Sequence, residues 1–308
     1  MEALLDAEAV LLFNTIMQFE SLKVFCDLAE TESFTQTAQV NSVSQSAVSQ
    51  TISALEKHFK CLFIERSKKN FRLTSDGEVL YNYSKEMLKI YDAIHSRMQE
   101  IRHVVSGEIR VATVYSIGLH DLPPYVKRFM RDYPEVKVHV EYRRANQVYD
   151  AVLGNTVDVG LVAYPDHDAR WETVPLRKER LVLACHPEHP LAKLRSVKLK
   201  ALNGQKFISF EPDMPTRKAL DKILRGEGVK VQHVMEFDNI ETVKRAVELN
   251  CGVAIVPETT IKQEVAQQTL AAVPLAGDYF RTLGAVYRAN KVLSPALKLF
   301  LALLKEML

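Results

Sequence analysis

Few places in this chain gather side chains that could do covalent chemistry. The densest run of metal-ligating types is Cys185-His186-Pro187-Glu188-His189. Its two histidines stand three apart, but Pro187 and Pro190 make the segment a turn rather than a helix face, so they do not form a stacked ligand pair. No P-loop, G-x-G-x-x-G, G-x-S-x-G or H-E-x-x-H occurs. Cys26, Cys61, Cys185 and Cys251 lie far apart with no C-x-x-C pair. That fits neither a disulfide framework nor a zinc site, and suits a reducing cytoplasm. No catalytic residue, metal or cofactor is expected.

The polar chemistry worth following is of another kind, in SFTQTAQVNSVSQSAVSQTISAL, Ser33 to Leu55. Two short helices joined by a tight turn are expected there. Ser33 caps the first, whose inward side carries Phe34, Ala38 and Val40. Ser44 caps the second after the Asn41-Ser42-Val43 turn. Val48, Ile52, Leu55 and Phe59 recur at steps of four, three and four and so share a buried face. The opposite face carries Gln45, Ser46, Ser49, Gln50 and Ser53. Short hydroxyls and amides without charge can reach base edges in a DNA major groove, where glutamine pairs with adenine. Taken alone, the stretch fits a solvated helix in an ordinary bundle equally well.

Its surroundings favour DNA. Phe19, Leu22, Phe25 and Leu28 mark an amphipathic helix over 18–32 that can close over the pair. Leu62-Phe63-Ile64 and Phe71-Leu73-Thr74 read as two strands of a wing around Ser67-Lys68-Lys69-Asn70. Over 57–72 the basic residues Lys57, Lys60, Arg66, Lys68, Lys69 and Arg72 face one acid, Glu65. Such a local excess serves phosphate neutralisation. The whole-chain net charge of +2 conceals it.

Residues 76–105 read as one long helix with Leu80, Met87, Ile94 and Ile101 seven apart, and Tyr91, Met98 and Val105 four after the last three. Ser84 interrupts the seam in the first repeat. A dimerising linker helix is expected, the alternative being a helix packed on its own domain.

From Glu108 the pattern turns to alternating strands and helices, which argues a mostly parallel sheet flanked by helices. The expected order is strand 108–114, helix 119–131, strand 136–143, helix 146–153, strand 157–164, strand 180–187, strand 206–212, helix 215–226, strand 231–237, helix 239–250, strand 252–257, strand 283–288 and helix 294–308. This order implies two α/β subdomains, about 107–163 with 269–308, and about 164–268. The chain crosses near Tyr164-Pro165. Its 308 residues suffice for several domains, with 47% apolar and 25% charged residues and no apolar run of membrane-spanning length. Residues 1–16 have no basic n-region and do not read as a signal peptide; they read as an extra helical turn or two, or as an upstream start choice with Met17 the more natural beginning.

FESLKVF, the Ser33–Leu55 stretch and LFIERSKKNFRLTSDGE together resemble the amino-terminal signature of the LysR-type transcriptional regulators. GNTVDVGLV (154–162), HPLA (189–192) and CGVAIVPE (251–258) resemble pieces of that family's effector domain. Ser46 departs from a frequent proline, and Phe59-Lys60 from a usual Leu-Gly. The resemblance implies an α/β protein with a winged helix-turn-helix over 17–75, a dimerising linker helix over 76–106, and a periplasmic-binding-protein-like effector domain over 107–308. It implies a homodimer or homotetramer on double-stranded promoter DNA in the cytoplasm, a small-molecule effector, RNA polymerase as a further partner, and no membrane. Gln45, Ser46, Ser49, Gln50 and Ser53 would face the groove, Thr35 and Gln36 would meet phosphates, and Arg66, Lys68, Lys69 and Arg72 would serve the wing.

Ligands of two-subdomain folds sit at strand carboxyl ends against helix amino termini. That singles out Tyr115, Ser116 and Ile117, Tyr164, Ser209 and Phe210, and Asn239 and Thr242 as candidates for a small anion. Ordinary capping by Ser116 and Asn239 is the alternative there. An α/β small-molecule-binding or enzymatic domain fused to a DNA-binding module is the rival class. It would need acid, base or nucleophile residues that converge in the cleft, and none is legible.

Overall fold

The computed structural model describes residues 19–65, 71–102 and 105–306. The expected extension over 1–16 and the wing tip with Arg66, Lys68 and Lys69 lie outside them. Four helices come first: α1 (Phe19–Thr31), α2 (Phe34–Val40), α3 (Gln45–Phe59) and α4 (Ser75–Arg102). They make one compact unit, and the strands beyond them make a second.

In the first unit, Leu22, Phe25, Leu28, Val48, Ile52, Leu55, Phe63 and Ile64 form the core. Each fully buried leucine or phenylalanine there is worth roughly 2 kcal/mol. The caps form as the sequence requires: Ser33 Oγ accepts from the Gln36 amide, and Ser44 Oγ from that of Ala47. Buried Asp27 then fixes the turn, accepting from Asn41 Nδ2 at 2.9 Å and from Lys23 Nζ at 2.9 Å. Buried Glu56 accepts the Phe63 amide at 3.0 Å, which ties the wing to α3.

Three expectations need correction here. Phe59 is 44% exposed, because α3 ends at it and Lys60 turns the chain in a left-handed conformation (φ 55°). On α2 the buried pair is Thr37 and Ala38, with Phe34 and Val40 only half-buried. The wing is minimal among the described residues: Ile64 faces Leu73 in a single antiparallel bridge, flanked by Glu65 N–Arg72 O at 2.9 Å and Thr74 N–Phe63 O at 3.0 Å.

Helix α4 packs its start on α1. Ser84, the residue that breaks the heptad seam, is buried there, Tyr81 donates to Glu30 at 3.0 Å, and Lys85 pairs with Glu30 at 2.8 Å. Farther along, Met87, Tyr91, Ile94 and Met98 are exposed.

The second unit contains β1 (Gly107–Thr113), α5 (Tyr115–His120), α6 (Pro123–Asp132), β2 (Val136–Tyr142), α7 (Ala145–Leu153), β3 (Val159–Ala163), β4 (Trp171–Cys185), β5 (Lys206–Phe210), α8 (Pro215–Gly226), β6 (Gln232–Phe237), α9 (Ile240–Glu248), β7 (Ala254–Pro257), α10 (Lys262–Ala266), β8 (Ala271–Pro274), β9 (Phe280–Arg288) and α11 (Pro295–Lys305). The single helix expected over 119–131 is two, because Pro123 lacks an N–H to continue α5 and opens α6 instead.

The strands run in the order β2-β1-β3-β9-β4-β7, with β8 also on β4 and β5-β6 paired apart. β1 is parallel to β2 and β3; β9 is antiparallel to β3 and β4. Strand β4 belongs to both subdomains. Trp171–Pro175 and Lys178–Arg180 pair with β9, and Leu181–Cys185 with β7 and β8. The expected crossing near Tyr164 therefore moves into β4, and the return moves from about residue 268 to the start of β9. The ladder slips between Pro175 and Lys178, where proline has no amide to donate.

Candidate DNA-reading face and effector cleft

On α3, Gln45, Ser46, Ser49, Gln50 and Ser53 are all exposed, as are Thr35 and Gln36 at the start of α2. The apolar residues that turn this face outward are Val48, Ile52 and Leu55. Ser44 Oγ and Ser46 Oγ lie 2.8 Å apart, so Ser46 also supports the cap. Arg72 is exposed on the wing, its carbonyl held by the Glu65 amide. A face of hydroxyls and amides on a helix held by two others can present hydrogen-bond groups to a groove without the desolvation cost of charge.

In the second unit a cleft of ≈ 530 Å³, partly open to solvent, lies between the two subdomains. Tyr115 and Ser116 enter it from α5, Arg143 and Arg144 from the turn before α7, Phe210 from β5, and Asn239 from the cap of α9. Four other expected residues do not line it. Ile117 is fully buried core. Ser209 is buried and bonded to His233 Nδ1 at 2.5 Å. Tyr164 lies outside the lining, with a left-handed backbone (φ 52°). Thr242 is exposed and donates to the Asn239 carbonyl at 3.1 Å. Asn239 caps, accepting the amides of Glu241 and Thr242 at 3.0 and 3.1 Å, while its own amide donates to Asp238.

Sequence reasoning missed the strongest group in the cleft. Arg281, on β9, lines it yet is only 2% exposed. Its Nη1 donates to Ser116 Oγ at 2.9 Å, and its Nε donates to Glu179. Glu179 also accepts from Arg177 at 2.7 Å and from Thr259 at 2.8 Å; Arg177 reaches Asp121 as well. An arginine next to the start of the mainly apolar strand FRTLGAVYR, at an alternation position shared with Leu283, is the signal that could have found it.

The network divides its two carboxylates. Burial raises Asp121 to about 7, helped by the charge of Glu179 and only partly offset by Arg177 and Arg281. Burial also opposes ionised Glu179, but Arg281 and the hydrogen bonds from Arg177 and Thr259 outweigh it and hold this carboxyl below its usual range. Burial lifts the Tyr164 hydroxyl to about 12. At the cleft mouth Arg144 pairs with Glu211, and with Asp213 at 3.1 Å, across the subdomain division. His120 and Glu241 meet at 2.8 Å on the same division. Among the described residues no group of three or more metal-ligating side chains converges.

Residues 102–308 match the LysR substrate binding domain, which is well over half of the chain, and residues 19–78 match the bacterial regulatory helix-turn-helix protein, lysR family. The chain belongs to the LysR family. This LysR-family regulator is 30% identical over 282 residues to the HTH-type transcriptional regulator YeiE of Escherichia coli K12, covering 91% of this chain and 94% of that one. A full-length OxyR variant from Pseudomonas aeruginosa has the same fold, with TM-score 0.70 at 22% identity over 94% of each chain. The regulatory domain of CcmR from Synechocystis PCC6803, solved in complex with 2-PG, superposes with TM-score 0.60 at 24% identity over 65% of this chain and 97% of that one. The LysR-family chain is thus a transcriptional regulator with a helix-turn-helix DNA-binding domain and a domain that binds a small-molecule effector. No helix among its described residues is long and apolar enough to cross a membrane.

Proposed function

We propose that this regulator is switched by a small anion seated in the cleft against Arg281 and Ser116. The carrying observation is a guanidinium that is 2% exposed yet lines the cleft. Ser116 Oγ accepts from Arg281, so its own proton is free to be donated to a ligand. Tyr115, Phe210 and Asn239 supply the walls. Glu179 already neutralises part of the Arg281 charge, so the ligand contributes the remainder in a site of low dielectric.

At the other end, α3 reads bases through Gln45, Ser46, Ser49, Gln50 and Ser53. Thr35, Gln36, Arg66, Lys68, Lys69 and Arg72 hold phosphates. Residues 17–75 are the reading domain, 76–106 the linker and 107–308 the effector domain. The exposed apolar residues Met87, Ile94 and Met98 on α4 fit the seam of a second copy, giving a homodimer and, by pairing of dimers, a homotetramer. Two-fold symmetry places half-sites about one helical turn, or a multiple of one, apart. The protein acts in the cytoplasm, beside RNA polymerase, and turns over no substrate.

A thermal-shift screen of small inorganic anions and carboxylated or phosphorylated metabolites tests the anion reading on the full chain. An anion that binds raises the melting temperature by linkage, and the rise disappears in Ser116→Ala. Hits confined to neutral or cationic compounds contradict it.

A further inference from the structure

A helix of 15 residues is about 22 Å long, nearly twice the roughly 12 Å width of a major groove. The base-reading residues of α3 occupy its first part, Gln45 to Ser53. The remainder of the helix must leave the groove past the phosphates that wall it. Ser46, Gln50, Ser53 and Lys57 succeed one another at steps of four, three and four, which is one stripe along the helix, and Lys60 caps the helix one turn beyond Lys57. The stripe thus changes from uncharged to cationic about where the groove edge falls. Lys57 and Lys60 are both exposed. Neither ammonium group makes a hydrogen bond or ion pair among the described residues.

Lys60 also occupies a backbone position that does not call for a lysine. It closes α3 in a left-handed conformation (φ 55°), where its amide donates to the Glu56 carbonyl. Glycine would make the same bond without a Cβ penalty. A side chain held against backbone preference, with no partner on its own domain, points to a partner outside it.

We propose that Lys60, seconded by Lys57, is a DNA-backbone contact at the exit of the reading helix. It rests on the reading of α3 as the base-reading helix. It adds two phosphate contacts, one from the last turn of α3 and one from its cap, to those of the wing.

The test uses the full chain and a duplex of arbitrary sequence, with affinity measured by fluorescence anisotropy across a series of KCl concentrations. Lys60→Gly relieves the backbone, so it melts no lower than the parent and a folding defect cannot explain lost affinity. It is expected to bind several-fold more weakly and to flatten the slope of log affinity against log salt by about 0.9. Lys57→Ala flattens it likewise, and Lys60→Arg retains both affinity and slope. Parent affinity and slope in Lys60→Gly overturn the proposal, as does weaker binding at an unchanged slope. If the parent itself binds duplex with no salt dependence, the reading of α3 fails and takes this proposal with it.

Discussion

Arg281 Nη1 donates to Ser116 Oγ across 2.9 Å, joining residues 165 positions apart. The same guanidinium donates to Glu179, which Thr259 holds from the second subdomain. One buried arginine therefore links the cleft wall to the strands where the two subdomains cross. On the proposed reading, a ligand seated against this guanidinium would compete for the contacts that join them.

Replacing Arg281 with methionine leaves Glu179 buried with its strongest partner gone. Loss of one member of a buried ion pair costs about 3–5 kcal/mol. The effector unit is expected to melt well below the parent in calorimetry. Ser116→Ala should melt close to the parent and yet lose the effector-dependent shift. A shift of parental size in Ser116→Ala would remove the hydroxyl from the site.

Asp121 gives the effector unit a pH dependence of definite sign. Its folded value is about 7, whereas an unfolded aspartate titrates near 4. The folded chain thus holds this proton more tightly, so the stabilisation is complete below about pH 4 and is lost as the pH rises through about 7. Glu179, held low, acts with the opposite sign only at the acid end. Melting temperature should fall between pH 5 and pH 8, roughly, and Asp121→Asn should flatten that fall. An unchanged slope in the variant contradicts the assignment.

Gly77 lies where α4 begins, against the wing. A Cβ there would stand 2.2 Å from the Phe63 carbonyl oxygen, a backbone atom that cannot step aside. Gly77→Ala should destabilise the amino-terminal unit by about 1–3 kcal/mol and weaken DNA binding without altering effector binding. Denaturant unfolding followed alongside anisotropy separates the two.

Ile94 is 49% exposed on α4 and Met87 39%. If they form the seam between two copies, Ile94→Asp places like charges opposite one another. Analytical ultracentrifugation of the full chain should then show a smaller species than the parent, with unchanged helical content by circular dichroism. Identical sedimentation would point to an association seam elsewhere.

The helical half of the fold was legible because its signals are local. Ser33 and Ser44 cap as their types require, and the steps among Val48, Ile52 and Leu55 need only the period of a helix. Phe59 escaped that rule because the helix stopped at it. The subdomain crossing was hidden because β4 begins in WETVPLRKER, whose proline and charges do not read as a strand. The cleft was half legible. Strand ends and helix starts pointed to Tyr115, Ser116, Phe210 and Asn239, but Asp121, Arg177, Glu179 and Arg281 acquire meaning only when the fold brings them together. Ser209 faced away from the cleft through a side-chain bond to His233 that no spacing shows.

The most direct test of base reading by α3 compares affinity for the duplex upstream of the protein's own gene with affinity for its scrambled sequence at physiological salt. The parent should prefer the former by roughly a thousandfold or more. Gln45→Ala and Ser49→Ala should each lose about 1–3 kcal/mol of that preference while keeping the affinity for scrambled DNA. Parental preference in both variants, or equal affinity of the parent for the two duplexes, would contradict the account.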